Sequence, residues 1–177
     1  MSLLNPLVVG LGGGVNSTAM LVGMRERDMR PDLITIADTG GEKPETYQHV
    51  SDLDEWLRAV GFPAVTWVKK RSPHVGDRSL EEECLRRETM PSRAFGLSSC
   101  AHRWKIEPQL SYLIHWSPAR ACWARGDKPT KALGIDADET RRKKPSEDAK
   151  LRYIYPLCDW GWDRDACVKA IEREEPA

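Results

Sequence analysis

Leu7-Val8-Val9-Gly10-Leu11-Gly12-Gly13-Gly14-Val15-Asn16-Ser17-Thr18-Ala19-Met20-Leu21-Val22 is the stretch that decides the fold. Leu7 to Leu11 is a short apolar β-type run that ends in three glycines, and Ala19 to Val22 with Met24 then begins a helical pattern. The helix closes in Arg25 to Arg30 before Pro31. Leu33-Ile34-Thr35-Ile36-Ala37 follows as a fully buried second strand ending on Asp38, which completes a βαβ unit.

Working outward, Thr39-Gly40-Gly41 is a turn, and Pro44-Glu45 opens a helix whose Tyr47, Val50, Leu53, Leu57 and Val60 recur every three to four positions. Gly61 stops it, and Ala64 to Val68 supplies a third strand followed by Lys69-Lys70-Arg71. From Ser72 to Leu97 the pattern weakens to a loop, with a short helix over Leu80 to Glu88; residues 70–98 are expected to be a mobile segment. Lys105 to Trp116 reads as a helix that tolerates Pro108 only in its first turn. Lys131 to Ile135 reads as a strand, and Asp136 to Lys150 as a polar connection. Tyr153 to Leu157 reads as extended, and a last helix starts at Asp163 or Asp165. Strands separated by helices predict an α/β fold: a single-domain, three-layer αβα architecture over residues 1–177, with a mainly parallel twisted sheet.

Whole-chain properties narrow the function. The 177 residues carry 27 Lys plus Arg against 27 Asp plus Glu, so no global charge draws the chain to nucleic acid or an acidic membrane. The apolar run at Leu7 to Leu11 is far short of the roughly 20 residues that span a bilayer, and Met1 to Pro6 lacks a signal-peptide pattern. A cytoplasmic protein is expected. Cysteines at 84, 100, 122, 158 and 167 include no Cys-x-x-Cys pair, which excludes zinc-ribbon and thioredoxin spacings and leaves most as reduced, buried thiols.

A phosphate site needs backbone amides that an anion can approach and a helix N-terminus facing it. Residues 12 to 18 offer both, with Ser17 and Thr18 adding hydroxyls that would serve equally as helix caps. No Gly-Lys dipeptide occurs, so a Walker A loop is excluded. A dinucleotide fingerprint is met only in part: Ser17 stands where the third glycine belongs, and Asp38 stands where a ribose-binding acid would sit.

These residues resemble the PP-loop superfamily of adenine nucleotide α-hydrolases (the HUP-like folds), and within it the phosphoadenosine phosphosulfate (PAPS) reductase family. Gly12-Gly13-Gly14-Val15-Asn16-Ser17 resembles the Ser-Gly-Gly-x-Asp-Ser loop. Asp38-Thr39-Gly40 with Pro44-Glu45-Thr46-Tyr47 resembles the block after strand two. Cys100 to Pro108, with Lys105, resembles Cys-x-x-x-x-Lys-x-x-Pro. Leu133 to Arg142 resembles Gly-x-Arg-x-x-Glu-Ser, and Tyr155 to Trp160 resembles Pro-Leu-x-x-Trp.

The resemblance implies that Gly12, Gly13, Gly14, Asn16, Ser17 and Thr18 hold the phosphates of ATP or a related adenine nucleotide, that the segment around Ile36 to Thr39 lines its adenine and ribose, and that Asp38, Thr39 and Gly40 are among the nucleotide-binding residues. Lys105, Arg141 and Arg142 become candidate phosphate or substrate contacts, with Lys105, Arg141 and Cys100 as the catalytic candidates. Glu139 is placed to orient an arginine or meet Mg²⁺, and no residue is assigned to a resident metal.

Two departures bear on chemistry. Asn16 replaces the loop's carboxylate, and the chain lacks the reductases' Glu-Cys-Gly-x-His tail. It resembles a short form of phage and mobile-element members that continue into a cysteine-rich tail; an iron–sulfur set built on Cys100, Cys158 and Cys167 is the less favoured reading. The leading expectation is an enzyme acting at the α-phosphate to activate a second substrate, in nucleic-acid or sulfur metabolism. Its alternatives are thiol-dependent PAPS reduction through Cys100, and a non-catalytic module binding nucleotide or nucleic acid through Lys69-Lys70-Arg71 and Arg141 to Lys144. No membrane partner is expected, and self-association as a homodimer is open to it.

Overall fold

The computed structural model describes residues 5–71, 79–89, 102–143 and 145–174. Five parallel strands form one sheet in the order β3-β2-β1-β4-β5: β1 Leu7–Leu11, β2 Leu33–Asp38, β3 Val65–Lys69, β4 Thr130–Leu133 and β5 Arg152–Ile154. Helices cover both faces, giving the three-layer αβα arrangement. α1 (Val15–Glu26) and α2 (Pro44–Ala59) make the first two crossovers. α3 is Leu80–Arg86, a π-helical turn at His102–Ile106 leads into α4 (Glu107–His115), and α5 is Ser117–Ala124. After β4 come a 3₁₀ segment at Ala137–Arg142, the single turn α6 (Pro156–Asp159) and α7 (Arg164–Glu174).

Side-chain alternation along the strands divides the core. Val9, Leu11, Ile34, Ile36 and Ala132 face Met20, Met24, Val50, Leu57 and Cys167 of α1, α2 and α7. Their neighbours Val8 and Leu33 face the other way, against Leu113 of α4 and Leu151. Residues 17 to 24 of α1 are all buried, because α7 packs on the helix from outside. Gly23 lets the end of α6 close on the same helix: a Cβ there would lie 2.3 Å from the Trp160 ring. α2 is amphipathic in the ordinary way, burying Val50, Leu53 and Leu57, with Pro44 in its first turn and Gly61 at φ +78° just past its end.

The structure refines the sequence reading in several places. α1 begins at Val15 rather than Ala19, because Gly14 is extended (φ −120°, ψ 172°) and the helix starts directly behind it. Tyr153 to Leu157 is not one extended run: β5 ends at Ile154 and Pro156 opens α6, since its fixed φ suits a first helical position. α5 falls where the sequence suggested no element. The last helix is capped by Asp163, whose Oδ1 accepts the Ala166 amide at 2.8 Å. Of the segment expected to be mobile, residues 72–78 and 90–98 lie outside the described residues, while Leu80–Arg86 is helical with a Ser79/Glu82 capping box.

Candidate functional site

β1 is central, and the chain leaves it toward β2 on one side while β4 lies on the other. This reversal of strand order is the switch point at which open parallel sheets leave a crevice beyond the strands' carboxyl ends. A cleft of about 1130 Å³ opens there. One wall is the glycine turn with Asn16 and Ser17; the others come from the π turn, from Gly134 to Arg142, and from Arg164 at the start of α7.

Close backbone packing shapes the glycine turn. Gly13 has φ +72°, and a Cβ there would stand 3.2 Å from Thr46 of α2. A Cβ on Gly134 would lie 2.9 Å from both the Ser17 amide nitrogen and its Cα, so the segment after β4 rests directly on the first turn of α1. Gly14 has open space beside it, and no side chain caps the helix. Gly14, Val15, Asn16 and Ser17 line the crevice, so the N-terminal end of α1, the end that anions favour, borders it.

Ser17 and Thr18 serve the turn itself. The Ser17 hydroxyl accepts from the Gly12 amide at 3.2 Å and donates to the Gly14 carbonyl at 2.9 Å. Thr18 is 4% exposed, and its hydroxyl lies 3.3 Å from the same carbonyl and 3.0 Å from His49 Nε2. Gly12, Gly14, Asn16 and Ser17 line the cleft; Gly13 and Thr18 stand behind it.

Asn16 is held from both ends. Its Nδ2 donates to Asp136 Oδ2 at 2.8 Å, and its Oδ1 accepts from Arg164 at 3.1 Å, which fixes the orientation of the amide. Asp136 is 4% exposed, and its other oxygen accepts the Glu139 amide at 3.0 Å, capping the 3₁₀ segment. The close approach at Gly134 is what brings Asp136 to Asn16.

Asp38, Thr39 and Gly40 form a tight turn beside the cleft. Asp38 Oδ1 accepts the Gly40 amide and the Tyr47 hydroxyl, both at 2.8 Å, and Oδ2 meets Lys69 at 2.7 Å. Burial pushes this carboxyl up, but those hydrogen bonds and the Lys69 charge outweigh it and hold it below its ordinary value. Burial, with the Asp38 carboxylate, pushes the Tyr47 phenol up. Thr39 donates to Glu42 at 3.1 Å, and Lys105 pairs with that same Glu42 oxygen at 3.0 Å. The Lys105–Glu42 pair borders a slot of about 20 Å³ that also meets Leu11, Ile36, Ala37 and Trp67, and Tyr47 stacks on Trp67 at 5.6 Å.

Arg142, paired with Glu139, lines the cleft, whereas Arg141 is exposed outside the lining. Cys100 lies outside the described residues. Cys158 donates to the Ile135 and Asp136 carbonyls at 3.2 Å, and burial, with the Asp136 charge, pushes the Cys167 thiol up to about 11. Two residues of the basic run at the end of β3 are engaged within the fold. Lys69 binds Asp38, while Lys70 binds the buried Glu83 at 2.5 Å and sits over the Trp104 ring. Glu83 also meets Arg87, Arg103 and, at 2.6 Å, the Trp104 indole; burial raises its carboxyl, and these partners more than reverse that. Lys144 lies outside the described residues.

Sequence reasoning missed Arg164, Asp136, Gln109 and Lys131, all of which line the cleft. Only Lys131 carried a signal, as a lysine inside an otherwise apolar strand. No described helix is long and apolar enough to cross a membrane. No family model matches the chain, and no curated protein matches it significantly.

Proposed function

We propose that the chain is an enzyme of the adenine nucleotide α-hydrolase type, similar in its loop blocks to PAPS reductase-like proteins. It binds ATP or a related nucleotide over the glycine turn and acts at the α-phosphate to activate a second substrate. The observation that carries this reading is the uncapped first turn of α1, open beside Gly14 and set on the central strand at the switch point of a parallel sheet.

Phosphate oxygens would take hydrogen bonds from the first-turn amides, with Arg142, Arg164 and Lys105 around the cleft to neutralise their charge. The protein's part in such a reaction is positioning and electrostatic stabilisation of charge on the phosphate oxygens. Mg²⁺ commonly arrives with phosphates and asks one or two carboxylates of the protein; Asp138 and Glu139 line the cleft and fit that role. Ile36, Ala37 and Trp67 offer apolar surface for an adenine ring beside the cleft, although the slot they border, about 20 Å³, holds no more than about one water in this conformation.

Incubation with α-labelled ATP, Mg²⁺ and a panel of acceptors tests the proposal. Labelled AMP or an adenylate is expected; no labelled product with any acceptor, despite saturating nucleotide, contradicts the catalytic part.

A further inference from the structure

α7 runs parallel to α1, and both helices start at the cleft, because their contacts join start to start and end to end. At the far end Arg25 meets Glu174 at 2.7 Å and Arg173 meets Glu26 at 2.8 Å, so each of these charges has an opposite. At the cleft end Arg164, the first residue of α7, meets Asn16 of α1 at 3.1 Å, and this partner is a neutral amide. The start of a helix favours acidic side chains, so the dipole of α7 works against a cation at this position.

The other cations of the cleft are engaged or stand elsewhere. Lys105 is paired with Glu42 and Arg142 with Glu139, and His102 bonds Glu107. Lys131 donates to Gln109 inside the sheet, and Lys150 lies beside the edge strand β5. The acids around the cleft leave Arg164 unpaired. Asp136 accepts from Asn16 and from the Glu139 amide, Asp148 accepts from the Tyr153 hydroxyl, and Asp163 caps α7. Among the described residues none of these, nor Asp138, Glu139 or Asp165, forms an ion pair with Arg164. The Asn16 amide stands between the guanidinium and Asp136: it aims the one and is fixed by the other, and the remaining N–H groups of Arg164 stay available to an anion.

The order of strands gives the site a direction. Ile36, Ala37 and Trp67 belong to β2 and β3, on one side of β1, whereas Asp136 follows β4 on the other side and holds Asn16 there. A nucleotide with its base on the β2 side and its α-phosphate over the glycine turn directs its β- and γ-phosphates toward Arg164.

We propose that Arg164 is the specificity residue for these terminal phosphates: its guanidinium takes β- and γ-phosphate oxygens in a forked contact, so that the cleft selects a nucleoside triphosphate over a monophosphate. Asn16 is its positioning residue, orienting the fork through the side-chain oxygen without cancelling its charge. The role of Arg164 rests on the nucleotide site proposed above and narrows its ligand to a triphosphate.

Titration calorimetry on the full chain, with excess Mg²⁺ and no acceptor, tests this with AMP and with α,β-methylene-ATP, which cannot be cleaved at the α-phosphate. The parent is expected to bind the triphosphate at least about tenfold more tightly than AMP, the scale of one charge-assisted hydrogen bond. Arg164 is exposed, so Arg164→Gln leaves the fold in place; it is expected to weaken the triphosphate at least about tenfold and AMP by less than about twofold. Asn16→Asp/Asp136→Asn exchanges amide and carboxylate and sets a negative charge against the guanidinium. It is expected to lower the ratio of triphosphate to AMP affinity by about threefold, the scale of an exposed ion pair. A merely structural role of Asn16 would weaken both ligands alike and leave that ratio unchanged.

Equal affinities in the parent, or an Arg164→Gln variant that weakens both ligands equally or neither, would overturn the role of Arg164 while leaving a nucleotide site at the glycine turn. An unchanged ratio in the double exchange would overturn the role of Asn16; if that variant does not fold, Arg164→Gln decides the proposal alone. Binding of neither ligand by the parent would remove the nucleotide site itself, and the role of Arg164 with it.

Discussion

Asn16→Asp restores the carboxylate of the loop this turn resembles, and the structure predicts that it damages the protein. Asn16 Nδ2 lies 2.8 Å from Asp136 Oδ2, and Asp136 is 4% exposed. Two ionised carboxylates at that spacing would repel by about 6 kcal/mol at an effective dielectric of about 20. Holding one proton avoids the repulsion, and protonating an ordinary aspartate at neutral pH costs about 4 kcal/mol, which sets the ceiling. The exposed Arg164 contact to the other oxygen returns about 1 kcal/mol, so the net loss is about 3 kcal/mol, or a Tm lower by about 6–12 °C for a domain of this size.

The pH dependence gives the loss a signature. The variant's paired carboxyls bind more protons folded than unfolded, so its stability falls as pH rises from about 4 toward 7, and the deficit nearly vanishes at pH 4. Urea unfolding at both pH values checks this, with Asn16→Asp/Asp136→Asn expected to recover most of the loss. An Asn16→Asp variant as stable as the parent at pH 7 would refute the reasoning.

Gly134→Ala should cost about 1–3 kcal/mol and weaken nucleotide binding, because its Cβ would press on the Ser17 backbone, which cannot turn aside; a change in urea stability below about 0.5 kcal/mol would contradict it. Glu83→Gln should cost about 3 kcal/mol at pH 7, since it leaves Lys70 and Arg103 without their carboxylate. The native Glu83 carboxyl lies below its ordinary value, so its stabilisation is complete above the unfolded carboxyl range and is lost as pH falls through the native value. The urea midpoints of parent and variant should therefore converge toward pH 3. Tyr47→Phe removes one of three groups bound to Asp38 and should shift the parent's acid-unfolding midpoint upward while costing about 1 kcal/mol at pH 7; an unchanged midpoint would argue against that role.

The first βαβ unit was legible because local sequence and tertiary role agree there. Val8 and Val9 alternate between the two faces, the glycines have no competing role, and residues 33 to 38 are buried on both sides. Short elements were less legible. α5 buries only Ala119 and Cys122, too few for a periodic signal, and Tyr155-Pro156-Leu157 is as apolar in a helix entry as in a strand. The glycine wall of the cleft was readable for the same local reason. Its opposite walls were not, because Arg164 meets Asn16 and Gln109 meets Lys131 only through the order of strands in the sheet. Asp38 shows the converse: a residue in a suggestive sequence position whose carboxylate is taken up by its own turn, Tyr47 and Lys69.

Nucleotide-dependent thermal stability of the parent and of Gly14→Glu tests the central claim most directly. Gly14 is extended with open space beside it, so glutamate is tolerated there while its carboxylate competes for the first-turn amides. ATP or AMP at a hundred times its Kd should stabilise the parent by about 2.7 kcal/mol, a rise of about 5–11 °C, and NAD should do less. Gly14→Glu should fold with the parent's basal Tm and lose that rise. No rise in the parent with any adenine nucleotide at millimolar concentration, or an undiminished rise in Gly14→Glu, would contradict a phosphate site at the glycine turn.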